Sequence, residues 1–282
     1  MPKIIRAKSM GYCMGVERAV RIAEENIGQD KSLRSLGLLI HNEIENQRLA
    51  GLGLGMSDLE TLAQTGEGDR LLIRAHGLDP QVRASLEKRG YQLIDATCPL
   101  VVMNQKDVQK AREAGYHVVI VGKSEHAEII AMRGFADPKK LSVIGSVAEA
   151  SALDIDAQEI FVLSQTTLRP DLFNEIKTEL AKRYQLKEFR PSICPATQDR
   201  QKAVKELAKE VDAIVVVGDK NSANTKGLVE SAEVAGVAAY LVSQASMLDL
   251  GALQHYERIG LTAGASVPSY LIDEVEASLR NL

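Results

Sequence analysis

Short apolar segments alternate with longer amphipathic segments along the whole chain. The apolar segments are rich in Val, Ile and Leu and lack regular polar positions, which is typical of strands buried on both faces. In the amphipathic segment "DRQKAVKELAKEV", Ala203, Leu207 and Val211 recur every four residues, which predicts a helix. Strands that alternate with helices in this way favour a parallel α/β fold. The predicted strands lie in residues 35–40, 70–75, 91–95, 117–122, 141–145, 159–164, 213–218, 238–242 and 258–264.

The three cysteines of the chain divide this alternation into a repeat. Each cysteine stands directly before a helical pattern, in "CMGVERAV", "CPLVVMNQ" and "CPATQDRQ", and the two spacings are 85 and 96 residues. A repeat of about 90 residues predicts three similar α/β units with mostly parallel sheets. We expect these units at 14–98, 99–194 and 195–282, and we expect the N-terminal strand within 1–13 to join the third unit.

Polar side chains cluster where the predicted strands end. The six clusters occur in "LLIRAHG", "VVIVGKSEH", "IVVVGDKNS", "QLIDATC", "FVLSQTT" and "IGLTAGAS". Ligands of α/β proteins bind at the carboxyl ends of the strands, so we expect these clusters to face one shared centre. The segment "GLGLG" at 51–55 lacks the spacing of a dinucleotide-binding loop, and we interpret it as a turn.

Cys13, Cys98 and Cys194 are candidate metal ligands. A single free cysteine is most often a small buried apolar residue. These three all stand at the predicted start of a helix, where the helix dipole favours the thiolate that a metal needs. They lack the paired CxxC spacing of common zinc sites, although three thiolates still suit zinc. They suit equally a [4Fe–4S] cluster in which one iron lacks a protein ligand and is open to a substrate.

Three of the five histidines directly follow or close an apolar segment, namely His41, His76 and His126. One such histidine on its own is compatible with a core or turn position. Three at equivalent strand ends are candidate hydrogen-bond donors to phosphate oxygens, in the neutral or the cationic form. The other two lack this placement, and we interpret His117 as a strand residue and His255 as solvated.

Short neutral side chains extend this pattern to the C-terminal third. Ser222, Asn224 and Ser266 stand near strand ends, where each one alone is as well explained by helix N-capping. Together with the histidines they form a candidate set for binding a diphosphate without bulk positive charge. Glu128 lies two positions after His126, and both side chains reach one site if "SEHAE" is a loop. A carboxyl shielded there from water is a candidate proton donor, and the alternative is an ordinary solvated glutamate.

Composition narrows the class of partner. The formal charge of −4 and the pI of about 5.8 leave no basic footprint for nucleic acid. The sequence has no apolar run long enough for a membrane span, and its N-terminus lacks the apolar stretch of a signal peptide. An odd number of widely spaced cysteines argues against a secreted disulfide framework. We therefore expect a cytoplasmic enzyme that binds neither nucleic acid nor membranes.

The quoted segments, taken in order, carry a resemblance that no single one of them carries. The set consists of "GYCMGVERAV", "IHNEIEN", "RAHG", "DATCPLV", "SEHAE", "SQTT", "ICPATQDRQKAV", "KNSANT" and "TAGAS", and it spans nearly the whole chain. It closely resembles the family of 4-hydroxy-3-methylbut-2-enyl diphosphate reductases, the LytB/IspH family, which catalyse the last step of the non-mevalonate route to isoprenoids.

The resemblance implies three α/β units around a central [4Fe–4S] cluster that is held by Cys13, Cys98 and Cys194, with one iron open to the substrate. It implies that the acid matching Glu128 delivers protons and that the hydroxyl matching Thr166 relays them. The substrate-binding residues that it implies are His41, His76, His126, Thr166, Ser222, Asn224 and Ser266.

The same resemblance implies the reaction and its partners. The allylic hydroxyl of the substrate is removed with two electrons and two protons, which gives isopentenyl and dimethylallyl diphosphate. The electrons are expected one at a time from ferredoxin or flavodoxin. An external donor agrees with the sequence, which has no loop typical of a flavin or nicotinamide site.

Three departures from the family pattern bear on the substrate. The family usually carries a Lys and a His a few residues after the second cysteine, where this chain has the stretch "LVVMNQKDV". Ile130, Ala131 and Met132 stand where small residues are usual, which would alter the pocket wall or the approach of an electron donor. Ala223 replaces a usual serine and removes one phosphate donor, worth about 1 kcal/mol. Two alternatives therefore stay open: a divergent relative that reduces another small hydroxylated or phosphorylated molecule, and a non-catalytic zinc-binding or redox-sensing protein.

Overall fold

The computed structural model describes residues 2–27, 33–59, 62 and 70–282 of the chain. Within these ranges, strands and helices alternate as the apolar pattern predicts. The strands are β1 Lys3–Arg6, β2 Arg34–Leu36, β3 Gly55–Ser57, β4 Arg70–Ile73, β5 Gln92–Asp95, β6 His117–Val121, β7 Leu141–Ile144, β8 Glu159–Ser164, β9 Gln185–Lys187, β10 Ala213–Val217, β11 Ala238–Val242 and β12 Arg258–Ala263. The α-helices are α1 Met14–Ile27, α2 Glu43–Leu52, α3 Pro80–Lys88, α4 Pro99–Glu113, α5 Ala127–Arg133, α6 Val147–Ala152, α7 Pro170–Leu180, α8 Pro195–Leu207, α9 Ala223–Val234, α10 Leu250–Leu253 and α11 Ser269–Arg280.

The strands form three four-stranded sheets with the orders β3-β2-β4-β5, β7-β6-β8-β9 and β11-β10-β12-β1. Every strand pair in the described residues is parallel. From one edge to the other, each of the first two sheets contains its second, first, third and fourth strand in chain order. The last sheet follows the same order with β11, β10 and β12, and the N-terminal strand β1 takes the fourth place. The predicted fold class, three α/β units with mostly parallel sheets, is confirmed.

The chain divides into two compact units. Unit 1 comprises Met1–Glu17, Ile40–Arg48 and Pro195–Leu282, and unit 2 comprises Arg18–Leu39 and Leu49–Cys194. Unit 1 therefore holds the sheet that contains β1, and unit 2 holds the other two sheets. The boundaries 14–98, 99–194 and 195–282 remain our proposal for a finer division, and the membership of the three sheets supports it.

Burial explains why the apolar segments become central strands. All five residues of β10 are buried, and four of the five residues of β6 are buried. In unit 1, Val215 and Leu261 belong to a core that also contains residues of α11. In unit 2, Val119 and Val162 lie on one face of their sheet, where they belong to a core with residues of α7. Covering helices on these sheets are the condition under which parallel strands are stable.

Several local predictions differ from the structure. The run 35–40 is a strand only as far as Leu36, because Gly37 has a φ of +77° and turns the chain. Val211 is buried but lies beyond α8, which ends at Leu207. Strands β3 and β9 contain three residues each, too few for their apolar pattern to stand out. The turn predicted within 51–55 occurs at Gly53, whose φ is +114°, and β3 begins two residues later.

Proline marks the start of four of the helices that follow α2. Helices α3, α4, α7 and α8 all begin with a proline. The first turn of a helix tolerates proline because its amide N–H has no intrahelical partner there. Two of these helices directly follow a cysteine, so the sequence pattern Cys-Pro places Cys98 and Cys194 at helix N-termini. Among the described residues, no helix combines the length and the apolar character that a membrane crossing requires.

Candidate active site

The three cysteines occupy equivalent places relative to the sheets. Each cysteine directly precedes a helix. Its backbone N–H donates to a carbonyl that lies two residues after the end of a strand, and that strand stands third in the order given above for its sheet. The three hydrogen bonds run from Cys13 to Ala265 (3.1 Å), from Cys98 to Ala75 (3.0 Å) and from Cys194 to Thr166 (2.9 Å). Each bond lies within one unit. The repeat predicted from cysteine spacing is therefore also a repeat of local geometry.

The thiols have the chemistry that an iron–sulfur cluster requires. All three are half-buried, and none is in a disulfide. A helix N-terminus stabilises a thiolate, and thiolates are soft ligands that select iron–sulfur clusters and zinc. The donor set therefore fits the cluster that the resemblance implies. The thiols are spread over both units, with Cys13 in unit 1 and Cys98 and Cys194 in unit 2.

Glu128 is a buried acid that is held by Thr166. The carboxyl is only 1% exposed and lies in the first turn of α5. Its Oε1 accepts a hydrogen bond from the backbone N–H of Thr166 at 2.8 Å, and its Oε2 accepts one from the Thr166 hydroxyl at 2.6 Å. Because the carbonyl of Thr166 accepts from Cys194 N–H, this one threonine connects the acid with a cysteine.

Burial raises the pKa of Glu128 to about 7. Removal from water disfavours the carboxylate, and this effect outweighs the two hydrogen bonds from Thr166, which favour it. A carboxyl with such a pKa is substantially protonated near neutral pH, as a proton donor must be. The alternative of an ordinary solvated glutamate is therefore wrong.

Two neighbouring histidines lie in unit 2, and one of them contacts Glu128. His126 is the N-cap of α5, and its Nδ1 accepts from the backbone N–H of Glu128 at 3.2 Å. This bond assigns the hydrogen of a neutral His126 to Nε2. The rings of His76 and His126 form an edge-on pair with centroids 5.4 Å apart. The segment "SEHAE" is not a loop as expected, because α5 begins at Ala127, but the helix start still places His126 and Glu128 in contact.

Gly77 fixes the turn that carries His76. Its N–H donates to the carbonyl of Arg74 at 3.0 Å, and its φ is +81°. A Cβ atom at this position would lie 2.3 Å from Nε2 of Gln105, so a side chain would be strained by the backbone conformation and would displace the Gln105 amide. The segment "RAHG" thus needs its glycine in order to present the histidine.

In unit 1, the N-terminus of α9 presents neutral polar groups. Ser222 is the N-cap and accepts from Thr225 N–H at 3.3 Å, so the capping alternative is correct for this residue, and its own hydroxyl hydrogen stays available. Asn224 is 3% exposed, and neither polar atom of its side-chain amide has a hydrogen-bond partner in the described part of the chain. A buried unsatisfied amide costs free energy, which makes it a candidate ligand-binding group. The helix dipole adds an attraction for an anion.

Close packing holds this helix end in place. A Cβ atom on Gly218 would lie 2.6 Å from the Thr225 hydroxyl oxygen, and one on Gly264 would lie 2.3 Å from it. Both glycines follow central strands, β10 and β12, of the unit 1 sheet. Ala223, the position where a serine is usual, is the first residue of α9. The segments "VVVG" and "TAGAS" therefore bring the helix N-terminus against the carboxyl ends of the strands.

Ser266 and His41 are in contact in unit 1. The hydroxyl of Ser266 donates to the backbone carbonyl of His41 at 2.8 Å. Ser266 is thus a support for the segment that carries His41, in addition to being a predicted substrate residue. Asn42 follows directly and accepts from Glu45 N–H at 3.0 Å, which caps α2. His41 is thereby fixed between a strand and a capped helix.

Ile130, Ala131 and Met132, which begin two positions after the acid, have different environments. Ala131 and Met132 are buried, and Met132 belongs to the unit 2 core with Val118 and Ile120. Only Ile130 is exposed, with half of its surface accessible. Of the three side chains that we expected to alter a pocket wall, only that of Ile130 is accessible.

Three polar residues beside the cysteines were missed by the sequence reasoning. Arg18, Asn104 and Arg200 each donate to backbone carbonyls that closely precede a cysteine. The sequence signal that could have identified them is their regular spacing from the cysteines: they stand five, six and six positions after Cys13, Cys98 and Cys194, respectively.

Comparison with known proteins places this geometry in a family. The model of the LytB protein family matches residues 4–280. The 4-hydroxy-3-methylbut-2-enyl diphosphate reductase of Treponema denticola is 39% identical over 286 residues, which cover 97% of this chain and 98% of that protein. The enzyme of the same name from Aquifex aeolicus is 34% identical over 284 residues, which cover 100% of this chain and 97% of that protein.

Solved structures agree with these relatives. The E-1-hydroxy-2-methyl-but-2-enyl-4-diphosphate reductase from Plasmodium falciparum superimposes with a TM-score of 0.90 at 29% identity, covering 98% of this chain and 87% of that one. A second structure, of an (E)-4-hydroxy-3-methyl-but-2-enyl diphosphate reductase that is the terminal enzyme of the non-mevalonate pathway, gives a TM-score of 0.72 at 34% identity and covers 100% of both chains. With nearly its whole length matched by the family model, the chain belongs to the LytB protein family.

Proposed function

We propose that this chain is an oxidoreductase that removes the allylic hydroxyl of 4-hydroxy-3-methylbut-2-enyl diphosphate. The substrate takes up two electrons and two protons, the hydroxyl leaves as water, and the products are isopentenyl and dimethylallyl diphosphate. One observation supports this beyond family membership: Thr166 joins the buried acid Glu128 to the backbone of Cys194. A proton donor and a proposed cluster ligand are thereby held by the same residue.

The cofactor that we propose is a [4Fe–4S] cluster with Cys13, Cys98 and Cys194 as ligands. When bound, such a cluster supplies single electrons and an iron that accepts an oxygen ligand. The chain has no fourth cysteine, so one of the four irons lacks a thiolate from this chain. The absence of a fourth thiolate leaves a coordination position for the substrate hydroxyl.

Glu128 and Thr166 can transfer a proton without moving apart. Oε1 of Glu128 is occupied by the backbone N–H of Thr166, so the acid carries its proton on Oε2. From there the proton is donated to the Thr166 oxygen 2.6 Å away, and the hydroxyl hydrogen of Thr166 is then free to point at the substrate. Transfer of the proton to the leaving hydroxyl group produces water. The raised pKa of Glu128 keeps this proton in place near neutral pH.

The diphosphate is assigned to neutral donors. In unit 2 these are His76 and His126, and a neutral His126 carries its hydrogen on Nε2 because Nδ1 accepts from the backbone N–H of Glu128. In unit 1 we assign the same role to His41, Ser222, Asn224 and Ser266. The amide of Asn224 supports this most strongly, because both of its polar atoms are buried without a partner in the described residues.

The electron donor that we propose is ferredoxin or flavodoxin. Each delivers one electron at a time, which matches the redox step of an iron–sulfur cluster. Ile130, exposed two residues after Glu128, marks where the surface of this chain differs from the family pattern, and it is the first position to vary in a test of donor binding.

Anaerobic purification followed by metal analysis and turnover tests the proposal. We expect about four irons and matching sulfide per chain, a brown absorption spectrum, and conversion of 4-hydroxy-3-methylbut-2-enyl diphosphate when a reduced one-electron donor is added. Substrates that lack the hydroxyl or the diphosphate provide matched controls. A colourless zinc protein would overturn the cluster assignment, and a full cluster without turnover of this substrate would overturn the substrate assignment.

A further inference from the structure

The helix that follows Cys13 contacts the segment that precedes the next cysteine. Arg18, in the second turn of α1, donates from Nη1 to the carbonyl of Thr97 at 3.2 Å and from Nη2 to the carbonyl of Asp95 at 3.4 Å. Thr97 directly precedes Cys98. The guanidinium thus binds the backbone between the end of β5 and Cys98. Arg18, Asp95 and Thr97 all lie in unit 2.

The helix that follows Cys98 makes the corresponding contact with the third cysteine. Asn104, in the second turn of α4, is 1% exposed and donates from Nδ2 to the carbonyl of Ser192 at 3.2 Å. Ser192 lies two residues before Cys194. The amide oxygen of Asn104 accepts from Nη2 of Arg190 at 2.7 Å, so the short loop before the cysteine is held at two points. All of these residues belong to unit 2.

The Ser192 side chain extends this contact to the proton donor. Its hydroxyl oxygen accepts from the backbone N–H of Ser164 at 2.8 Å and lies 2.9 Å from the Ser164 hydroxyl. Ser164 ends β8, two residues before Thr166. One buried polar network therefore supports both the segment of Cys194 and the strand that leads to Thr166.

The helix that follows Cys194 returns to the first cysteine. Arg200, in the second turn of α8, is 4% exposed. Its Nη2 donates to the carbonyls of Gly11 at 2.7 Å and Tyr12 at 3.1 Å, the two residues before Cys13, and its Nη1 donates to Ala196 at 2.8 Å. The described partners all lie in unit 1. A buried guanidinium therefore joins the first turn of one cysteine-headed helix to the segment that presents another cysteine.

From these three contacts we infer that Arg18, Asn104 and Arg200 are positioning residues for the cluster ligands, each fixing the cysteine that comes next in a closed order. The helix headed by Cys13 holds Cys98, the helix headed by Cys98 holds Cys194, and the helix headed by Cys194 holds Cys13. The inference rests on the proposed function only in taking the three cysteines as ligands.

Physical reasons favour this role over simple helix packing. The direction of a cysteine side chain is set by the peptide planes before it, and donors to those carbonyls fix those planes. A cluster with three protein ligands needs all three sulfurs in place together, and the residues that orient metal ligands affect metal affinity about 10–100-fold. Because every donor stands five or six residues after a ligand, displacement of one cysteine disturbs the support of the next. Cluster binding is therefore expected to be cooperative among the three ligands.

The test compares variants of the cluster-loaded protein. Arg200→Met and Asn104→Leu remove the donors, and Arg200→Lys keeps a charge but loses the fork that reaches two carbonyls. Arg70→Met is the matched control for the arginines, since Arg70 also donates to a backbone carbonyl, that of Asn26 at 3.0 Å, but away from any cysteine. Gln109→Leu is the control on α4, at an exposed position. The measurements are iron per chain, the rate of iron loss to a chelator, the electron paramagnetic resonance spectrum and the reduction potential.

We expect iron loss to be about tenfold faster in Arg200→Met and Asn104→Leu, with Arg200→Lys between them and the wild type, and we expect altered spectra and potentials in the protein that retains its cluster. The controls should match the wild type. Equal iron loss, spectra and potentials in the tested variants and the controls would overturn the inference. Cys13→Ser, measured in parallel, separates the two levels: full iron in that variant contradicts the proposed ligands, whereas iron loss there with normal Arg200 and Asn104 variants contradicts only the positioning role. If Arg200→Met does not fold, Arg200→Lys and Asn104→Leu decide the question.

Discussion

The two units of this protein contribute different buried polar groups to the candidate site. Unit 2 buries an acid, Glu128, whose pKa rises to about 7, and places the imidazole of His126 directly beside it. Unit 1 presents at the start of α9 a serine cap and the neutral amide of Asn224, whose polar atoms have no partner in the described chain. The comparison teaches that the two roles are distributed differently: the groups proposed to move a proton lie in unit 2, whereas the groups proposed to hold the anion occur in both units, as His76 and His126 in unit 2 and at the start of α9 in unit 1.

The groups proposed to bind the diphosphate are uncharged, which agrees with the overall charge of −4 of the chain. A diphosphate bound by lysines would bring a strong positive field close to the acid, and nearby positive charge lowers the pKa of a carboxyl. A helix N-terminus and uncharged amides and hydroxyls attract the anion with partial charges instead. Neutral donors are therefore compatible with a protonated Glu128.

The largest expected effect is one that both units share. Replacing Cys13, Cys98 or Cys194 by serine removes a soft thiolate, and each variant is expected to lose most of its iron and all measurable turnover. Iron and sulfide analysis of anaerobic preparations measures this. Full iron content in the Cys13→Ser variant would contradict the proposal that Cys13 is a cluster ligand.

The second effect is confined to unit 2. Glu128→Gln keeps the size of the side chain and, like the protonated acid, can accept from the backbone N–H of Thr166 and donate to its hydroxyl oxygen, but it cannot deliver a proton. We expect kcat to fall by about 10²–10⁴, with KM and iron content almost unchanged. Steady-state kinetics with a reduced donor separates these quantities, and a near-normal kcat would show that Glu128 is not the acid.

The buried acid also predicts how stability depends on pH. The pKa of Glu128 is about 7 in the folded protein and 4.5 ordinarily, so the folded state binds the proton more tightly. Its contribution to the free energy of unfolding is full below about pH 4.5 and is lost as the pH rises through about 7, on the order of 3 kcal/mol in total. Thermal unfolding of the wild type and Glu128→Gln across this range measures the difference. Parallel curves for the two proteins would mean that the carboxyl titrates normally.

The matching prediction for unit 1 concerns Asn224. Asn224→Leu replaces an unsatisfied buried amide by an apolar side chain of similar size, so the free energy of unfolding is expected to rise by about 1–3 kcal/mol. The same change removes a proposed diphosphate donor, so KM should rise by about tenfold while kcat changes little. Asn281→Leu, at an exposed position of the same unit, is the control. A stability gain with unchanged KM would leave Asn224 without a role in binding.

The smallest expected effect is at Ser266. Ser266→Ala removes the hydrogen bond to the carbonyl of His41, which is worth about 1 kcal/mol, and KM is expected to rise about fivefold. The inhibition constant of inorganic pyrophosphate, used as a competitive inhibitor, should rise by a similar factor. An unchanged inhibition constant would show that neither Ser266 nor the position of His41 matters for the anion.

The sequence permits part of this account and not the rest. The apolar runs predict the central strands because parallel strands are buried on both faces, and Cys-Pro predicts two cysteines at helix starts because proline suits the first turn. The bonds that organise the site are long-range: Thr166 and Glu128 are 38 residues apart, and Arg200 and Gly11 are 189 apart. No local pattern encodes such pairs. The raised pKa of Glu128 follows from burial that only the fold creates.

The most direct test of Glu128 as the proton donor is the pH profile of a single turnover. The enzyme is loaded with its cluster, reduced, and mixed with saturating 4-hydroxy-3-methylbut-2-enyl diphosphate, so that substrate binding no longer limits the rate. The account predicts a rate constant that falls as the pH rises above about 7 in the wild type and in Asn224→Leu, and a low rate constant that lacks this fall in Glu128→Gln. The same pH dependence in all three proteins would contradict the assignment of Glu128 as the acid.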